Sequence, residues 1–135
     1  MKKKKMVWVV FATLFLLICT TFFLHRATED PLLAKRIDDL ASKGVTEISL
    51  TSLTDFEWNK AMVYGPYTSK EIIEGSLNSK FKGSTQGIEY RDDIFLLVFA
   101  KDHYVVKTVK LSRRGVDFSK NDQLLTTADD ILKIH

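Results

Sequence analysis

Hydrophobic and polar positions divide this chain into two unlike regions. From Met6 to Leu24 there are 19 residues without a charge, interrupted only by Thr13, Cys19, Thr20 and Thr21. A helix of that length is ~28 Å long, close to the thickness of a bilayer's hydrocarbon core. It can return its hydroxyls to its own backbone. The run therefore predicts an N-terminal transmembrane helix. Beyond it, apolar residues recur in short periodic groups. Leu33, Ile37, Leu40 and Ala41 stand at helical spacing, with Lys35, Arg36, Asp38 and Asp39 between them. Asp30-Pro31 supplies a cap and a first helical residue, and Gly44 a stop. These signals predict an amphipathic helix over 28–43.

Residues 46–53 alternate, with Ile48 and Leu50 on one side, and predict a half-buried strand. Lys60 to Tyr64 predicts a second strand, ended by the breaker pair Gly65-Pro66. Thr68 to Glu71 fits a capping box, opening a helix over 69–77 that turns Ile72, Ile73 and Leu77 inward. Ile88 to Tyr90 reads as a short strand. The seven apolar residues Ile94 to Ala100 read as a central strand covered on both faces. Tyr104 to Leu111 returns as its hairpin partner across Lys101-Asp102-His103. Residues 116–127 are polar and irregular. The last eight residues form either a strand or a helical turn. The order predicts a two-layer α+β domain: an antiparallel sheet with two helices on one face.

Charge sharpens the division. Of 20 basic and 17 acidic residues, five basic and no acidic ones fall in residues 1–26, which leaves 15 against 17 in residues 27–135. The basic pI belongs to the first segment, and the rest shows no nucleic-acid footprint. Lys2 to Lys5 precede the apolar run, so the positive-inside rule keeps the amino end cytoplasmic. Residues 1–26 read as a basic tail and signal-anchor, and residues 27–135 as an extracytoplasmic domain held at the cell membrane through Met6 to Leu24. The alternative is a secreted protein released by signal cleavage near Thr20, Thr21 or Ala27. No small residue stands three places before a cut at Ala27, and the bulky Ile18 before Cys19 argues against a lipid-modified cysteine. The exported part contains no cysteine, so burial rather than disulfides must hold it. An export domain of that kind suits a bacterium, particularly one with a single membrane.

Candidate chemistry is sparse. Of the three histidines, His25 lies at the membrane boundary and His135 at the end of the chain. His103 sits in a turn beside Asp102. The adjacent acid pairs Asp38-Asp39, Asp92-Asp93 and Asp129-Asp130 point apart on either a strand or a helix. Residues Asp117 to Asp122 offer oxygens, but Lys120 intrudes and no glutamate closes a calcium loop. No nucleophile elbow, zinc helix or phosphate loop is present. The residues assign no catalytic, metal or cofactor site.

The most distinctive stretch runs from Glu57-Trp58-Asn59-Lys60 to Gly65-Pro66-Tyr67-Thr68. It resembles a pattern in small uncharacterised exported or membrane-anchored proteins of Gram-positive bacteria. In that pattern a Trp-Asp-Lys start, a short strand and a Gly-Pro-Tyr-Thr turn precede a helix. Phe56 to Tyr67 carries the match, and Phe99 to Asp102 and Gly115 to Ser119 extend it. This chain carries Asn59 where the pattern has aspartate. The resemblance implies no activity. On the residues themselves, Gly65 and Pro66 turn the chain, Thr68 and Glu71 cap the helix, and Trp58, Tyr64 and Tyr67 fill or rim the core. Those three aromatics form the candidate partner surface of a non-enzymatic binding module. The alternative is a small hydrolase-like enzyme that pairs His103 with a carboxylate.

Overall fold

Seven consecutive apolar residues need cover on both faces, and Ile94 to Ala100 has it: all seven are buried. The computed structural model describes residues 2–23 and 25–135, with side chains at 3–20 and 25–135. In chain order the elements are α1 (Lys2–Phe23), β1 (Thr28–Glu29), α2 (Pro31–Ser42), β2 (Glu47–Ser49), α3 (Leu50–Leu53), β3 (Lys60–Tyr64), α4 (Lys70–Leu77), β4 (Ile94–Lys101), β5 (Tyr104–Ser112), β6 (Leu125–Thr126) and β7 (Ile131–Lys133).

The main sheet has the order β1-β5-β4-β3-β6, and β2 pairs with β7 in a separate two-stranded sheet. The fold is α+β, as the sequence predicts, but the main sheet is mixed rather than antiparallel. Thr28 and Glu29 form a strand of their own, parallel to β5 opposite Lys107 and Thr108. Two residues are too few to give a period-2 signal, so the helix pattern behind them masked the strand. Asp30 then caps α2 through the Leu33 N–H at 3.0 Å.

The helices also lie on opposite faces of the sheet, not on one. Period-2 alternation along β4 explains this. Phe95, Leu97 and Phe99 join Leu33, Ile37 and Ala41 of α2 in one core, together with Ile48 and Leu132 of the small sheet. Leu96, Val98 and Ala100 join Ile73 and Leu77 of α4 in a second core. A sheet with two apolar faces has to be covered twice, and each helix carries one apolar stripe. A bulge between Phe99 and Ala100 lets Val105 serve the second core while Val106 packs on the first.

The transmembrane expectation is corrected as well. Among the described residues no helix is long and apolar enough to cross a membrane. α1 is helical over 22 residues, but it opens with four lysines. The predicted end of the run, Leu24, lies outside the described residues. Thr13 and Thr20 donate to the carbonyls of Val9 and Leu16, four residues back.

Smaller elements differ for local reasons. The predicted strand over 46–53 stops at Ser49, because the Asp130 carboxylate accepts from the Thr51 N–H at 3.0 Å and folds Leu50–Leu53 into a helical turn. Ile88 to Tyr90 is a turn rather than a strand, closed by the Tyr90 and Arg91 N–H groups on the Gly87 carbonyl. The last apolar group resolves as the strand β7.

Candidate functional site

β3 decides which of the predicted surface aromatics can act together. Trp58 lies before its first residue and Tyr64 ends it, so they stand at opposite ends and in different cores. Trp58 packs edge-on to Phe99 at 5.1 Å and donates Nε1–H to the Thr54 hydroxyl at 3.1 Å. It is a buried core residue, and it borders a shallow polar cleft with Thr51, Glu57, Asn59 and Lys101. Across that cleft mouth Lys101 pairs with Glu57, which lowers the Glu57 carboxyl and raises the Lys101 ammonium from their ordinary values.

Tyr64 and Tyr67 do come together, at the other end. They line a cleft of about 420 Å³ with Gly65, Thr68, Ser76, Phe95, Phe118, Ser119, Asn121 and Asp122. Tyr64 is buried, and its phenol shares a hydrogen bond with the Ser76 hydroxyl. Burial pushes that phenol above its ordinary value while the Ser76 bond opposes the shift, so Tyr64 offers a neutral hydroxyl at the cleft. Tyr67 sits 65% exposed at a φ of 62°. Proline followed by a positive-φ residue is the order of a type II turn, where glycine or asparagine is usual at the second place. A tyrosine held there stores strain. Two bonds hold it: the Tyr67 N–H donates to the Ile88 carbonyl at 2.7 Å, and the Thr68 hydroxyl to the Gly65 carbonyl at 2.7 Å.

The Thr68 bond moves the helix cap. Ser69, not Thr68, caps α4, accepting from the Ile72 N–H at 3.4 Å. Glu71 therefore falls in the first turn without closing a capping box; its charge there suits the helix dipole. The one-residue shift also turns Ile72 outward, 57% exposed, at the cleft, and leaves Ile73 and Leu77 as the buried pair.

The far wall was not foreseen. Residues 118–122 have no periodicity, and their polar content reads as loop. Yet Phe118 and Asn121 are buried, and Phe118 packs edge-on to Phe95 at 5.7 Å. The Asn121 amide donates to the carbonyls of Phe118 and Lys133 at 2.9 and 2.6 Å and accepts from the Lys133 N–H at 2.8 Å. The only available hint was a lone asparagine after an aromatic residue in a polar stretch. Asp117, beside this wall, is lowered by the N–H and hydroxyl of Ser119.

His103 is exposed in the β4–β5 turn and lines none of the clefts described above. Among the described residues no group of three or more His, Cys, Asp or Glu side chains gathers to hold a metal ion. No family model, no curated protein and no solved structure matches this chain.

Proposed function

We propose that residues 27–135 act as a non-enzymatic binding module on the outer side of the cell membrane, delivered there by the basic and apolar segment before them. The observation that carries the binding role is Tyr67. A bulky aromatic side chain kept exposed at a strained backbone position, over a preformed cleft, is a recognition feature rather than a packing one. The cleft falls in the size range of binding pockets, ~300–1,000 Å³. It combines apolar floor residues with a few neutral hydrogen-bonding groups and one carboxylate, Asp122.

Replacing Tyr67 with photoreactive benzoylphenylalanine in the native host tests this role. An adduct is expected at position 67 and not at Tyr90, which is 82% exposed and does not line the cleft. Equal labelling at both positions, or none at 67, would sink the reading. The location is tested by adding protease to intact cells. Digestion of residues 27–135 supports it and protection overturns it.

Release is the second reading: among the described residues no helix is long and apolar enough to cross a membrane, and a basic start before an apolar segment is also the layout of a secretion signal. A mature chain whose mass places its start between Thr20 and Thr28 is the expected signature.

A further inference from the structure

The β3–β6 ladder stops halfway. β6 pairs with β3 only at Lys60 and Ala61, opposite Thr126 and Leu125. Continuing that register would set Leu124, Gln123 and Asp122 opposite Met62, Val63 and Tyr64. Instead the chain leaves the sheet there, and the cleft under Tyr67 fills the gap between the β3 edge and residues 118–122. Alternate residues of a strand direct their N–H and C=O groups to opposite edges. At least one of Met62, Val63 and Tyr64 therefore presents both groups to the cleft. Among the described residues no backbone or side-chain bond outside the strand ladders takes them up.

The gap is held open rather than left by chance. All three Asn121 side-chain bonds go to Phe118 and Lys133, and they fix the far wall against β7 instead of β3. An unpaired edge next to a preformed slot is the setting for β-strand addition. Main-chain bonds give the affinity there, and side-chain pockets give the choice of sequence. The slot spans three residues of strand, ~10 Å. Asp122 is the only charged residue lining it, and no hydrogen bond or ion pair occupies its carboxylate among the described residues.

We infer that the cleft takes an extended peptide segment of a protein partner, which adds as a short strand to the Met62–Tyr64 edge of β3 and places a lysine or arginine against Asp122. This rests on the binding-module reading and names its ligand class. Tyr67 then covers the added strand from the turn side, and Ile72 and Phe95 offer apolar contact to its alternate side chains.

The test uses the full chain in mild detergent and a phage-displayed library of random ten-residue peptides. Enriched peptides should share a basic residue within a short β-favouring stretch. Binding of such a peptide should slow amide hydrogen exchange at one or more of Met62, Val63 and Tyr64. N-methylation at alternate peptide amides should weaken binding about fivefold or more per blocked bond, while methylation at the intervening amides is tolerated. Asp122→Asn should weaken the basic peptides and spare variants in which the lysine is norleucine. Binding that leaves exchange at 62–64 unchanged, tolerance of N-methylation throughout, or pairing of this edge with a second copy of the chain would overturn strand addition. If position 67 still crosslinks in those cases, the binding module survives. No enriched peptide together with no crosslink sinks both.

Discussion

At the scale of single residues, two side chains are held in arrangements that a substitution can resolve. Tyr67 occupies a backbone conformation that costs an ordinary residue ~1–2 kcal/mol, whereas glycine adopts it freely but loses ~0.5–1 kcal/mol in chain entropy. Tyr67→Gly should therefore leave thermal stability unchanged or raise it by up to about 1 kcal/mol while it abolishes capture of the partner. A fall of several kcal/mol would mean that the ring serves the core instead. Asn59 explains itself in a similar way. Its amide donates to the Asp102 carboxylate at 3.2 Å and accepts from the Asp102 N–H at 3.2 Å, which locks the β4–β5 turn at a residue with a φ of 56°. An aspartate at 59 could accept but not donate, and it would bring a second negative charge to the site. Asn59→Asp is expected to lower the melting temperature at neutral pH. Stability should recover as pH falls through the ordinary carboxylate range near ~4. Neither role was legible in the sequence, because both depend on partners 43 positions away or on a backbone angle.

At the scale of elements, legibility followed the length of the pattern. β4, β5, α2 and α4 each carry several repeats of their period; β4, β5 and α4 stand within one residue of where the sequence predicts them, and α2 starts three residues later, after the strand at Thr28 and Glu29. The two- and three-residue strands had no such repeat, and long-range partners decided them. Asp130 shows how. Its carboxylate accepts from the Ser49 hydroxyl at 2.7 Å and from the Thr51 hydroxyl and N–H, so one acid joins β2, α3 and the entry to β7. The Thr51 hydroxyl, the Ser49 hydroxyl and the Thr51 N–H together lower it to about 2. A carboxyl lowered on folding stabilises the native state fully above its unfolded value near ~4, and that contribution disappears as pH falls through about 2. Solvent screening keeps it below about 1 kcal/mol. Asp130→Ala should remove the pH dependence assigned to this acid between pH 4 and 2, as read by urea unfolding at each pH. It should also raise hydrogen exchange in β2 and β7 before the main sheet.

At the scale of the whole molecule, the sheet separates two cores that share β4. Ile37 stands fully buried in one and Ile73 in the other. Alanine at either should cost about 2–5 kcal/mol. Because β4 supplies both faces, each change should shift one common unfolding transition, with tryptophan fluorescence and circular dichroism coincident. Separate transitions would mean that the layers fold independently. Core membership along β4 was legible from alternation. The assignment of one helix to each face was not, since periodicity says which side of a helix is apolar and nothing of which side of a sheet receives it. The short parallel strand β1 has a consequence for how this chain can be trimmed. It covers the middle of the outer edge of the nine-residue β5, reinforced by the Asp30 N–H on the Thr108 carbonyl at 2.9 Å, while Lys80 bridges the start of that edge at Tyr104. A processing cut before Thr28 leaves that cover in place. A cut at Asp30 strips it and bares the part of that edge beyond the Lys80 bridge, ready to pair with another molecule. Chains that start at Ala27 should stay monomeric in light scattering, and chains that start at Asp30 should associate.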